Sequence, residues 1–136
     1  MSQSKKYLCL DIGTVRTGIA TAESGVRIAV AYDTIPMNET SFRSDIAGLV
    51  TALGVDVIVI GYPRNQSGDA TAQSEYVEAR ANELDDLDAK IVFQDESLTS
   101  VLAEQRLKAR GQVYEKADID AEAATIILQD YLEANS

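Results

Sequence analysis

Histidine is missing from this chain and cysteine occurs only once. Without histidine there is no imidazole general base, no Ser-His triad and no His-ligated zinc site. Catalysis would have to come from carboxylates, hydroxyls, Lys/Arg or a metal held by oxygen. Cys9 cannot form an intramolecular disulfide, and its place in the apolar run Tyr7 to Leu10 reads as a small buried thiol. Long hydrophobic runs are absent too. The apolar stretches are about one strand long, against the roughly 20 residues that a membrane-spanning helix needs. The polar start, Met1 to Lys6, lacks the basic, apolar, small-residue order of a signal peptide, so the expected location is the cytoplasm.

Basic residues are scarce where acids abound. Residues 1 to 68 carry six Lys/Arg and six Asp/Glu, residues 69 to 136 six and sixteen, for a formal net charge of −10. Such a chain, taken whole, is poorly suited to a phosphate backbone, which is bound chiefly by Lys and Arg. What is present in quantity is apolar surface. With 136 residues and 46% hydrophobic content, the chain is expected to form one domain, 1–136, around a real core.

Tyr7 to Ile12 reads as a buried strand running into the turn Asp11 to Gly18. A second strand is expected at Ile19 to Thr21, a turn at Glu23-Ser24-Gly25, and a third strand from Val26 to about Ile35. A helix of roughly Phe42 to Leu53 follows, with Ile46, Leu49, Val50 and Leu53 at 3 and 4 spacing and Gly54 as its stop. Val55 to Ile60 is apolar enough for a central parallel strand covered on both faces. Helices are expected at about Thr71 to Leu84, Thr99 to Arg110 and Asp120 to Glu133, with a short strand at Lys90 to Gln94. The order β-β-β-α-β-α-β-α-α fits an α/β fold: a five-stranded mixed sheet, an antiparallel three-strand meander plus parallel strands, with helices on both faces. The crevice of such sheets lies outside the carboxyl ends of the central strands. Asp11 and Glu96 fall at such ends.

Each acid has an ordinary explanation. Asp11 could cap the turn that follows it, Asp95 and Glu96 could favour a helix N-terminus, and Asp120 could cap the last helix. The sharper hypothesis is that Asp11, Glu96 and Asp120 converge into an oxygen-rich site for Mg²⁺ or Mn²⁺. Two ions about 3.5 to 4 Å apart would activate water and stabilise the leaving 3′-oxygen of a phosphodiester. Spacing leaves Asp95 open as the alternative to Glu96, and Asp118 as the alternative to Asp120.

At this point the residues match a family. Asp11-Ile12-Gly13-Thr14-Val15-Arg16-Thr17-Gly18-Ile19-Ala20 resembles the Asp-x-Gly-x-x-Arg-x-Gly-x-Ala opening of the YqgF/RuvX family. Ile60 to Gly68 is similar to its Val-Gly-Leu-Pro loop, Asp95 to Ser100 to its Asp-Glu-Arg-Leu-Thr-Thr, and Asp120 to Gln129 to its Asp-x-x-Ala-Ala-x-x-Ile-Leu-Gln. Together these cover nearly the whole chain. The resemblance implies an RNase H-like fold, catalytic and metal-holding acids at Asp11, Glu96 and Asp120, and a divalent cation. It implies maturation of the 5′ end of pre-16S rRNA or, as the alternative, Holliday-junction-like resolution of branched DNA. Ser97 stands where the family has Arg, and between Gly111 and Asp120 only Lys116 is basic, so positive contacts are thinner than the family pattern.

The remaining candidates for nucleic-acid contact are Arg16, Arg64, Asn65 and Thr99 in or beside the crevice loops, and Arg106, Lys108 and Arg110 near the end of the third helix. The last three are also what a helix C-terminus favours. Tyr62 could stack a base or simply pack. The Asp-Ile-Gly-Thr turn also resembles the first phosphate motif of the sugar-kinase, Hsp70 and actin superfamily, but those ATPases need a second domain, and no Walker-type loop is present. The rival from another class is a non-catalytic adaptor that binds a ribosomal or protein partner through its acidic half. Monomer and homodimer both remain open.

Overall fold

The structure, a computed structural model, describes residues 4–63, 71–96 and 99–135. Strands β1 (Lys6–Ile12), β2 (Arg16–Glu23) and β3 (Val30–Pro36) are followed by helix α1 (Phe42–Leu53), β4 (Val57–Pro63), α2 (Ala72–Asn82), β5 (Lys90–Glu96), α3 (Thr99–Ala109) and α4 (Lys116–Ala134). The strands form one sheet in the order β3-β2-β1-β4-β5. β1 pairs antiparallel with β2 and parallel with β4, and β4 pairs parallel with β5. The expected element order and mixed sheet are therefore present.

The pleat of β1 sorts the core into two layers, because successive side chains point to opposite faces. Leu8, Leu10 and Ile12 face α1 and α2, where Phe42, Ile46, Val50, Val77 and Ala81 cover them. Cys9 faces the other way, with Val57, Val59 and the α4 residues Ala124, Ile127, Leu128 and Leu132. Its thiol is fully buried and unpaired, as expected, and burial raises its pKa well above the ordinary value. α3 packs behind α4 through Ala103, Ala123 and Ile126. No helix among the described residues is long and apolar enough to cross a membrane.

Several boundaries differ from expectation. β2 begins at Arg16 rather than Ile19, so the turn after β1 is shorter than expected, and β5 reaches Glu96 rather than Gln94. β3 begins at Val30 rather than Val26, because residues 24–29 fasten α4 instead of pairing. Ala29 N donates to Gln129 Oε1 at 2.9 Å, Arg27 Nη2 donates to the Leu132 carbonyl at 3.1 Å, and Arg27 takes a positive φ of 61° to do so. β4 runs to Pro63 rather than stopping at Ile60, paired with β5 as far as Pro63 opposite Glu96. Most consequential, α4 begins at Lys116, not Asp120. Its N-cap is Glu115, whose backbone N–H donates to Asp118 Oδ2 at 2.9 Å. Asp118 thus supplies the capping carboxylate, and Asp120 lies inside the helix with no capping duty.

Candidate active site

The pleat that divides the core also assigns the acids. Asp11 continues the Tyr7–Cys9 row of β1 and so projects to the α4 face, while Glu96 continues the Val92–Gln94 row of β5 to the same face. Asp95 belongs to the opposite, Ile91–Phe93 row. Of the two neighbours left open by spacing, Glu96 is the one that shares a face with Asp11.

β4 lies between these two strands, and its residue on that face at this level is Gly61, one step beyond the paired Leu10 and Ile60. A Cβ at Gly61 would overlap Glu96 Oε2 and come within 2.7 Å of Ile127 Cδ1. The missing side chain is therefore the space in which the Glu96 carboxylate lies, folded over β4 towards Asp11 and roofed by α4. Gly18 plays the matching part on the other side of Asp11, its register partner in β2. A Cβ there would overlap the Asp120 carbonyl, so this glycine lets the second turn of α4 rest directly on β2. Asp120 is four residues before Ala124 and seven before Ile127, on the sheet-facing side of α4.

Asp11 is thus the middle acid, with Asp120 on one side and Glu96 on the other. Burial first, and then the Asp120 charge, push the Asp11 carboxyl up to about 6. Burial, and then the Asp11 charge, push Glu96 up to about 8. Crowded like charges in a low-dielectric place raise the cost of ionising each of them. Among the described residues, Glu96 Oε2 is buried without a hydrogen-bond partner. Asp120 is engaged differently: its Oδ2 accepts from Arg16 Nε at 2.5 Å. As placed, no three acids among the described residues are grouped closely enough to hold a metal ion together.

The other candidates fall into three groups. Arg16, the first residue of β2, stands at the site itself, on Asp120. Arg106 and Arg110 both donate to Glu122 Oε2, at 3.1 and 2.8 Å; Glu122 is buried, while the two arginine side chains stay nearly half exposed. They are therefore not a free basic rim but the counter-charge of an internal carboxylate that sequence reasoning passed over. Lys108 is exposed, and Thr99 opens α3 with its side chain buried. Arg64 and Asn65 lie outside the described residues. Asp118 is exposed and caps α4. Tyr62 packs edge-on to Phe93 at 5.6 Å and donates its hydroxyl to Glu78, a packing arrangement.

A mixed five-stranded sheet in this order, with acids at the carboxyl ends of its parallel strands, is the RNase H-like architecture. Over nearly its whole length the chain superposes on Thermus thermophilus RuvC, with a TM-score of 0.62 and 10% identity for RuvC in complex with a Holliday junction substrate, covering 96% of this chain and 95% of that one. A second Thermus thermophilus RuvC structure gives 0.57 at 8% identity. At such identities the likeness concerns the fold. The sequence goes further: residues 5–134 match the family model described as "RuvX: Holliday junction resolvase". A Chloroflexus aurantiacus protein named "Putative pre-16S rRNA nuclease" is 40% identical over 131 residues, 93% of this chain and 86% of its own. A Synechocystis protein of the same name is 36% identical over 139 residues, covering 98% and 90%. The chain belongs to the RuvX family.

Proposed function

We propose that this protein is a divalent-metal-dependent nuclease that hydrolyses phosphodiester bonds of pre-16S rRNA during maturation of its 5′ end. The observation that carries the reading is the pair Asp11 and Glu96: two half-buried, mutually repelling carboxylates on one face of the sheet, one with a buried oxygen that lacks a hydrogen-bond partner among the described residues. Such a pair is costly in a metal-free protein and fits a hard cation, which prefers oxygen donors. Asp11 and Glu96 would hold Mg²⁺ or Mn²⁺, with Asp120 joining them once its carboxylate leaves Arg16. A cation bound there would supply Lewis-acid stabilisation of the phosphate and a water acidic enough to attack it.

The chain's own groups do the rest. Asp11, between the other two acids, would hold a cation together with either neighbour. Gly61, by lacking a side chain, leaves the space that the Glu96 carboxylate occupies next to Ile127. Arg16 brings a guanidinium to the mouth of the site, where a phosphate oxygen would lie. Resolution of four-way DNA junctions is the second reading, favoured by the description of the matching family model. The test is cleavage of labelled single-stranded RNA, a pre-16S-like RNA and a four-way junction with Mn²⁺, Mg²⁺ or EDTA. Metal-dependent cutting of the pre-16S-like RNA is expected, lost by at least about a hundredfold in Asp11→Asn. Cutting confined to the junction selects the second reading, and no cutting by folded wild type selects the non-catalytic adaptor.

A further inference from the structure

The proposed nuclease reading assigns Asp120 to the metal, yet in the structure that carboxylate is already taken by a cation. Arg16 Nε sits on Asp120 Oδ2 at 2.5 Å, with side-chain exposures of 33% and 22%, and among the described residues the other two acids have no such partner. Among the described residues this is the one hydrogen bond of the Arg16 side chain, so its terminal amino groups are uncommitted there. The backbones of both partners are fixed to one another independently of the ion pair, because Gly18, two residues after Arg16, lies directly against the Asp120 carbonyl. Breaking the pair therefore needs only side-chain rotation, with no shift of strand or helix.

We infer that Arg16 is a surrogate cation: it holds Asp120 until a divalent ion takes that carboxylate, and the guanidinium so released turns to the substrate phosphate. The inference rests on the proposed metal site and adds to it a coupling between metal loading and phosphate capture. A carboxylate oxygen occupied by a guanidinium is closed to a metal. A divalent charge arriving beside Asp11 repels the arginine as well as competing with it. Metal binding then completes the acid triad and frees a phosphate donor in one exchange, and linkage requires the coupling to run both ways. Arg16 is in this account a positioning residue for Asp120 in the metal-free protein.

The test follows the arginine itself. In ¹⁵N-labelled wild type, with the Arg16 Nε–H resonance assigned from Arg16→Lys, Mg²⁺ is titrated without nucleic acid. The expected result is a shift to the position of a free guanidinium and at least about tenfold faster exchange with water, with the midpoint of metal binding. In parallel, calorimetry with Mn²⁺ should show severalfold tighter binding in Arg16→Gln than in wild type. In an Asp120→Asn background the same substitution should change little, because the competition is gone. Metal binding that leaves the Arg16 signal unmoved, or an equal effect of Arg16→Gln in both backgrounds, overturns the exchange while leaving the metal site standing. No metal binding by folded wild type overturns both.

Discussion

The acids at the sheet ends carry a consequence that needs no substrate. The Glu96 carboxyl, raised by burial and by Asp11 from an ordinary 4.5 to about 8, keeps in the folded state a proton that the unfolded chain gives up. A raised folded pKa means that its stability contribution is complete below the unfolded value and is lost as pH rises to the folded one. Asp11, raised from 3.8 to about 6, adds the same trend over a lower window. In EDTA the protein is therefore expected to lose stability between about pH 4.5 and 8 on account of Glu96. Urea unfolding at pH 5, 6.5 and 8 checks this against Glu96→Gln, whose slope with pH should be shallower. Equal slopes would mean that Glu96 is not in the environment described. The acids themselves were legible in the sequence because strand ends and motif order point to them. The choice between Asp95 and Glu96 was not, because a single-residue alternation decides it and only strand register fixes the phase.

At the scale of elements, α4 brings Asp120 to the site, and its start at Lys116 is not the one that the sequence suggests. Asp120 resembles an N-cap in sequence, but the Glu115–Asp118 pair begins the helix more than a turn earlier, at Lys116. Acidic residues are good caps wherever they fall near a helix start, so a run containing Glu115, Asp118 and Asp120 does not say which one serves. The third strand is likewise shorter than its sequence suggests, since Val26 and Ile28 have strand-like character and nothing local reveals that Gln129, 100 residues from Ala29, claims the backbone there. The apolar periodicity of α1 and the Val/Ile run of β4, in contrast, placed both elements within a few residues. α4 is held to α3 by Glu122, whose buried carboxylate accepts from Arg106 and Arg110. Glu122→Gln removes the charge while keeping the shape. With both arginines half exposed to solvent, the expected loss is about 1–2 kcal/mol in stability. A thermal melt should show it as a Tm drop of about 3 to 8 °C. An unchanged Tm would show that the pairs add nothing to the docking of α3.

On the scale of the molecule, a net charge of −10 has to coexist with a polyanionic substrate. The described structure sharpens the problem, because Arg106 and Arg110 serve Glu122 and Arg16 serves Asp120. Beside the acids, the described residues offer phosphates few cations until Arg16 is released, so binding should depend on divalent ions more than on lysine and arginine. Binding of a short RNA in Ca²⁺ is expected to weaken with KCl along a log–log slope of magnitude below about 3, where a protein making 6 to 10 phosphate contacts shows a far steeper one. In EDTA the same RNA should bind at least about tenfold more weakly. A steep slope with binding indifferent to EDTA would instead locate the phosphate contacts on basic residues away from the acids.

The central claim is that Asp11 and Glu96 hold a divalent cation, and anomalous diffraction from crystals grown in Mn²⁺ tests it most directly. The account predicts an anomalous peak within about 2.0 to 2.3 Å of oxygens of both carboxylates, with Asp120 turned from Arg16 towards it. Saturating Mn²⁺ that leaves this position without a peak, with the Arg16–Asp120 pair intact, would contradict it.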